Sequence, residues 1–327
     1  GRRLARRLRE AGADVSLASR SAEGPGAVRF DWTDAATFAA AFDGVEAVYL
    51  VAPSGVFDVV SAMRPGLDHA LAAGVRRFVL LSASAIPCGG VLMGGVHEHL
   101  AVHAPQAVVL RPSWFMQNFT SGPHAATARA EGAIYSATDD GAVPIIDAED
   151  IAAVAAQALL RPGDGVVEAV LTGPQALTYD QIADALARRL GRSVRHQRLT
   201  LDTLTARFVA AGLPPDYAGA LAKMDRTIAA GAAASVTSAV RDWTGQAPTA
   251  FDAVAPGPRS VGWRADAPAT LVWTEALDGG GFVQESAPED LMMKQDLLLG
   301  IARAAAEDVV IASSTSRPMA STRPNIV

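Results

Sequence analysis

Arg77-Phe78-Val79-Leu80-Leu81-Ser82 is the stretch whose reading decides the fold. Its apolar residues run on without alternation, so both faces of the extended chain seek cover, as in a parallel sheet packed between helices. Working outward, Glu46-Ala47-Val48-Tyr49-Leu50-Val51-Ala52 repeats the pattern and stops at Pro53, and Ala107-Val108-Val109-Leu110-Arg111 repeats it again. Between them lie a helical stretch over 57–73 built on Val60, Met63, Leu67 and Leu71, where Pro65 predicts a kink or a split, and a Gly-rich break at 89–95 followed by a helix near 96–103. Upstream, Leu4 and Leu8 share one face of an Arg-rich opening helix, Gly12 ends it, and Asp14 to Ser19 and Val28 to Trp32 read as short strands around a helix at Ala35 to Phe42. Strands spaced by helices predict an α/β fold, a doubly wound parallel sheet with ligands at the carboxyl ends of its strands. Because a helix opens the sequence, the expectation is a sheet that lacks its first strand and leaves two edges unpaired.

From about residue 122 the pattern loosens into a small, mostly helical cap. Ile134 to Ser136 and Ile145 to Asp147 read as short strands. Asp147, Glu149 and Asp150 lead a helix to Leu160, where acids suit the helix dipole. Thr178 and Gln181 form a capping box ahead of a helix to Leu190, and 200–211 and 216–242 are helical. After residue 252 the register changes. Pro256-Gly257-Pro258 is a linker, Thr270 to Trp273 is strand-like, and Phe282 to Glu285, a helix over 289–304 and Val309 to Ala312 form a βαβ-like unit. The Val309–Ala312 strand is also a candidate to fill the empty place in the sheet. The domain plan is thus 1–252, with the cap from 122–252, and a tail over 253–327.

Composition narrows the classes further. Of 327 residues, 50% are hydrophobic and 19% charged, with a net charge of −6, which fits a chain that buries a core and offers no basic footprint for nucleic acid. No apolar run is long enough to span a membrane and no apolar segment follows the opening arginines, so a cytoplasmic protein is expected. Cys88 is the single cysteine, which excludes an internal disulfide and a multi-cysteine metal site, and it reads as a loop thiol. His99 and His103 share a helical face but lack a third ligand, so no metal is expected.

Leu110-Arg111-Pro112-Ser113-Trp114-Phe115-Met116-Gln117-Asn118-Phe119 resembles the strand-end motif of the NmrA-like atypical short-chain dehydrogenases. Gly95-Val96-His97-Glu98-His99-Leu100, Glu131 to Ser136 and Leu171-Thr172-Gly173-Pro174 resemble the branch that includes the ergot-alkaloid, festuclavine-type reductases. The resemblance covers residues 1–252. It implies a Rossmann domain holding NADPH, with NADH as the alternative, and a small-molecule substrate under the cap. Carried over, it places Gly1 at the pyrophosphate turn, Arg20 at the 2′-phosphate, Asp31 near the adenine, and Ala52 and Pro53 along the adenosine. It sets Ser82 and Ser84 under the nicotinamide half, with Pro112, Ser113, Trp114 and Phe115 closing around it. His97 and Glu98 are the candidate proton donors, and Asn118 and Tyr135 the candidate substrate contacts.

Two features depart from the family pattern. Gly1 stands where the last glycine of a Gly-x-x-Gly-x-x-Gly turn belongs, and the other two are not in the sequence. No Tyr-x-x-x-Lys pair occurs, because Tyr49, Tyr135, Tyr179 and Tyr217 are followed four residues on by Pro53, Asp139, Ala183 and Leu221. Hydride transfer to a conjugated, iminium or quinone-like acceptor needs orientation and exclusion of water more than a strong acid, so a reductase is expected. The alternatives are a non-catalytic dinucleotide-binding sensor, which would act on a protein partner, and an inactive truncated member. In the tail, 257–280 resembles a blade fragment of a prolyl-oligopeptidase-type propeller and 281–316 the middle of the 3-hydroxyacyl-CoA dehydrogenase dinucleotide domain, neither with its family's active site.

Overall fold

The computed structural model describes residues 1–21 and 26–251, together with four short strands at 261–263, 271–273, 282–285 and 310–313. The first half alternates: α1 (Arg2–Glu10), β1 (Leu17–Ser19), β2 (Ala27–Arg29), a 3-10 turn at Ala35–Thr37, α2 (Phe38–Phe42), β3 (Ala47–Leu50), α3 (Val59–Ala72), β4 (Arg77–Leu81), α4 (Met93–His103) and β5 (Gln106–Pro112). The second half runs α5 (Gln117–Thr120), α6 (Pro123–Glu131), β6 (Ala133–Ser136), β7 (Ala142–Val143), α7 (Ala148–Leu160), β8 (Gly165–Leu171), β9 (Leu177–Thr178), α8 (Tyr179–Leu190), β10 (Arg195–Arg198), α9 (Leu201–Ala210), α10 (Pro215–Ala229) and α11 (Ala239–Thr244).

Four strands form one parallel sheet in the order β3-β4-β5-β8, and β1 and β2 form a separate parallel pair. The residues of β4 and β5 explain the sheet's centre: Phe78, Val79, Leu80, Ala107, Val109 and Leu110 are all 0% exposed. Each large apolar side chain so buried contributes roughly 1.5–3 kcal/mol. One face packs on α2, α3 and α4 through Phe38, Met63, Leu67, Val96 and Leu100, the other on α1, α7 and α11 through Leu4, Leu8, Ile151, Val154 and Val240. The two-edged sheet expected from the sequence is what the pairing describes. β1 makes no ladder with β3, and Ala47, Val48 and Tyr49 of β3 are only half-buried. The cap has two small sheets of its own, β6 parallel to β10 and β7 antiparallel to β9. Gly173 sits where the chain leaving β8 passes under the cap; a Cβ there would stand 1.9 Å from the Ile145 carbonyl oxygen, so only glycine fits.

Several expectations are corrected. Of the kink or split expected at Pro65, the split does not occur, because the residue lies inside one helix, α3. Ser61 and Pro65 are on its exposed side, where water can satisfy the carbonyl that the missing N–H leaves free. The strand expected at Asp14–Ser19 is only Leu17–Ser19. Ile145–Asp147 is not a strand: Ile146 makes a single bridge with Phe115, and Asp147 caps α7 by accepting from the Glu149 N–H at 2.6 Å. The helical stretch 216–242 is two helices, because Gly231 at φ +75° ends the first. Strands β7, β8, β9 and β10 are additional to those expected. The capping box of α8 is present in both directions, at 3.2 and 2.9 Å.

Residues 257–327 form a second compact unit. Within it β11 (Val261–Trp263) pairs antiparallel with β12 (Leu271–Trp273), and β13 (Phe282–Glu285) pairs parallel with β14 (Val310–Ser313). The strand considered for the empty place in the sheet therefore has β13 as its partner. The linker at 256–258, the helix at 289–304 and the rest of both tail resemblances lie outside the described residues.

The arginines of α1 have a structural use. Arg3, Arg6 and Arg7 reach Glu149 in the first turn of α7 at 2.9, 3.0 and 3.1 Å, beside the buried Leu4 and Leu8. This ties α1 to the sheet layer although β1 does not pair with β3. Glu149 is a third exposed, so solvent screens the cluster and its worth is about 1 kcal/mol. Glu149→Gln should lower Tm by about 2–4 °C at low salt and by less than half of that near 1 M salt. An equal Tm at low salt would show that the leucines alone hold α1.

Candidate functional site

The parallel register of β4 and β5 carries on past the end of β4. Leu81 pairs with Leu110, the Ser82 N–H donates to the Leu110 carbonyl at 2.8 Å and the Ser84 N–H to the Pro112 carbonyl at 2.9 Å. Side chains alternate across a strand, so Ser82 follows Phe78 and Leu80 onto the α4 side of the sheet, and Arg111 follows Ala107 and Val109 onto the same side. Ser82 is 5% exposed and its hydroxyl has no hydrogen-bond partner. Arg111 donates to the Ser84 carbonyl at 2.8 Å and pairs with Glu168 of β8 at 2.5 Å.

His97 descends onto this row from α4. It is 2% exposed, its Nε2 lies 3.6 Å from Glu168 Oε1, and its Nδ1 has no partner. Burial pushes its pKa below the usual histidine range, Glu168 acts against that and Arg111 adds to it. The helix carrying it starts at Leu92, a buried residue held at φ +53°, a costly conformation for a branched side chain. Glu98, the next residue, is exposed and turns elsewhere: its carboxylate is 3.4 Å from where a Cβ on Gly89 would stand. His97 and Glu98 therefore do not act as one pair.

The end of β5 ties the sheet to the cap. Pro112 and Ser113 are buried, the Ser113 N–H donates to the Leu171 carbonyl at 2.9 Å, and its hydroxyl donates to the Pro144 carbonyl. Trp114 and Phe115 diverge: Trp114 packs with the cap core around Phe119 and Tyr179, Phe115 with the α7 layer. Asn118 is half-buried, and its N–H caps the Phe115 carbonyl at 3.1 Å. Tyr135 is held on the outside of the cap by Glu131 at 2.5 Å, with the Arg207 guanidinium 3.8 Å over its ring. On the other side, Gly1 caps α1 without a side-chain capping bond, and Arg20 is exposed just past β1 with no ion pair among the described residues. Asp31 accepts from the Thr33 N–H and hydroxyl at 2.9 and 2.8 Å, which lowers its pKa. Ala52 and Pro53 are half-buried after β3, and Tyr217 and Met224 of α10 pack against the same core cluster as Ala52. Among the described residues no three potential ligands stand together for a metal, and no helix is long and apolar enough to cross a membrane.

The sequence reading missed Arg111 and Glu168 as partners, and also a buried polar cluster inside the cap. Glu168 was visible as the one charge in Val166-Val167-Glu168-Ala169-Val170. In the cap, Asp225 is 7% exposed and accepts from the Ala137 N–H at 2.8 Å, while His196 Nε2 meets the Ser136 hydroxyl at 2.7 Å. Ala218, Ala222 and Asp225 share the buried face of α10, so a carboxylate on an apolar helix face was the signal.

Residues 99–244 match the sequence profile of the NmrA-like family. Agroclavine dehydrogenase of Claviceps fusiformis is 40% identical over 260 residues, covering 76% of this chain and 90% of that protein. The oxidoreductase YesF of Bacillus subtilis is 37% identical over 279 residues, covering 84% and 94%. Among solved structures, an NADPH-dependent quinone oxidoreductase of Escherichia coli, complexed with NADPH, superposes with a TM-score of 0.59 at 25% identity over 69% of this chain and 81% of that one.

Burial raises the Asp225 pKa to about 6 and lowers that of His124, which stacks on Phe119, to about 4. A raised carboxylate stabilises the fold at low pH and loses that contribution as pH climbs from its unfolded value through 6. The lowered histidine does the reverse over much of the same window. Asp225→Asn keeps an acceptor for Ala137 and removes the buried charge. It should leave Tm nearly unchanged at about pH 4 and stabilise by about 1–3 kcal/mol at pH 8, read by thermal melting across pH. A loss of stability at pH 8 would mean that the charged form is the one the cap is built around.

Proposed function

Because the chain belongs to the NmrA-like family, we propose that it is a reductase that uses NADPH in preference to NADH and delivers hydride to a small conjugated, iminium or quinone-like acceptor. The observation that carries the reading is the convergence of Ser82, Ser84, Arg111 and Ser113 where β4 and β5 end, with a buried hydroxyl on Ser82 that has no partner. Relatives named as dehydrogenases and a quinone oxidoreductase with NADPH support the same reading.

The residues present fit a dinucleotide. Arg20 offers an exposed guanidinium, without an ion pair among the described residues, to a 2′-phosphate, and the first turn of α1 after Gly1 offers its backbone N–H groups to a pyrophosphate. Asp31, Ala52 and Pro53 border the adenosine end, and Ser82, Ser84, Pro112, Ser113, Trp114 and Phe115 the nicotinamide end. When bound, NADPH supplies the hydride. The chain's own residues bind and orient the reactants, and Tyr217 and Met224 of the cap help to keep water out. An iminium acceptor needs the hydride alone, whereas a quinone or enone also takes one proton. His97 is the group assigned to that proton, and Asn118, half-buried in α5 past the end of β5, is the substrate contact.

Arg20→Gln should weaken NADPH binding about tenfold or more and leave NADH binding unchanged, by cofactor fluorescence titration. NADPH oxidation followed at 340 nm with a benzoquinone, an azo dye and a cyclic iminium salt tests the activity. Turnover with any of these, faster with NADPH than with NADH, is expected. Saturable NADPH binding with no turnover would replace the enzyme by a dinucleotide-binding regulator of a protein partner, and no binding would remove both.

A further inference from the structure

Arg111 and Glu168 have no assigned part in the chemistry, yet they surround the one buried histidine of the sheet layer. Glu168 sits at the sheet's outer edge with its side chain 41% exposed, while His97 beside it is 3% exposed. The carboxylate spans both partners, Oε2 to Arg111 at 2.5 Å and Oε1 to His97 Nε2 at 3.6 Å, and Arg111 anchors the far end on the Ser84 carbonyl. The other imidazole nitrogen, Nδ1, is buried without a partner, as is the hydroxyl of Ser82 on the same side of the sheet.

We propose that Glu168 and Arg111 are positioning residues for His97: the carboxylate charge 3.6 Å from Nε2 favours the imidazole proton on that nitrogen, so that Nδ1 stays bare toward the interior, and the guanidinium paired with the same carboxylate offsets its charge. The proposal rests on the reductase reading, in which His97 serves the proton step. A neutral ring then offers an acceptor at Nδ1 and becomes a donor there only when charged. The two partners pull in opposite directions. Removing the carboxylate lowers the proton affinity of His97, and removing the guanidinium raises it. The remaining charges on α4 and α3 lie elsewhere: Glu98 is at Gly89, and His99 pairs with Asp68 at 3.0 Å, with Arg64 and His103 close to it. None of these is a side-chain partner of Glu168 or Arg111 among the described residues.

The test is nitrogen-resolved NMR titration of the full chain, with the His97 signals assigned by their loss in His97→Gln. Glu168→Gln should shift the His97 midpoint down and Arg111→Gln should shift it up, each by about half a pH unit or more. Arg111→Lys should return it toward the unmodified value. The neutral ring should carry its proton on Nε2, and the pH profile of quinone reduction by NADPH should move with the same opposed signs. Midpoints that move together, that stay fixed, or a proton found on Nδ1 would overturn the proposal, because a purely structural pair destabilises in one direction only. Opposed midpoints with an unmoved pH profile would overturn the role in the reaction. Failure of the reductase reading looks different: opposed midpoints persist, and NADPH is not oxidised at any pH.

Discussion

A parallel ladder buried on both faces admits polar side chains only where its strands end or at its edge, and the rest of this structure depends on that constraint. After the Arg77–Gln106 pair at their start, β4 and β5 are apolar to the end of their pairing, so the first hydroxyl after β4, Ser82, and the first cation of β5, Arg111, appear side by side in register at the same end. β8, the edge strand, is where a carboxylate can be tolerated, and Glu168 stands there, half in solvent. The site is thus a consequence of the ladder. Shifting β5 by one residue would turn Arg111 into the α7 layer and leave Glu168 without its cation.

The layer around the sheet is held by different means on its two sides. On the α2–α4 side it is aromatic and aliphatic packing, with Phe30 against Trp32, Phe38 and Phe42 at centroid distances of 4.7 to 5.8 Å. On the α1–α7 side, leucines are supplemented by the charge cluster on Glu149. That supplement compensates for a place where backbone pairing is not made, since β1 joins β2 alone. The cap also buries polar groups, Asp225 among them, so its stability carries a pH dependence of its own.

The strands that were legible in the sequence were those with uninterrupted apolar runs, such as Phe78 to Leu81 and Ala107 to Leu110. Those that were not legible have clear reasons. β8 carries Glu168 inside its run and begins at Gly165 at φ +71°, so it reads as a turn followed by a broken pattern. β10 is Arg-His-Gln-Arg, and only His196 of its four residues is buried; its place is set by backbone pairing with β6. For the site, the strand-end residues Ser82, Ser84 and Ser113 were readable from position along the chain. The link from His97 through Glu168 to Arg111 was not, because it joins residues 57 apart or more across a helix and two strands. Tyr135 was drawn toward the substrate by sequence reasoning and is occupied by Glu131 and Arg207 instead.

In the proposed reductase the carboxyl ends of β4 and β5 hold the nicotinamide end of the cofactor. A cavity of about 390 Å³ lies at the opposite end of β5 and β8, lined by Gln106, Arg161, Asp164, Asp242 and Trp243 among others. Backbone amide NMR shifts on adding NADPH distinguish the two ends directly. The largest changes are expected at Ser82, Ser84, Ser113 and Trp114, with Asp164 and Trp243 unmoved. Changes confined to Asp164, Trp243 and their neighbours, or none at all at saturating NADPH, would contradict this placement.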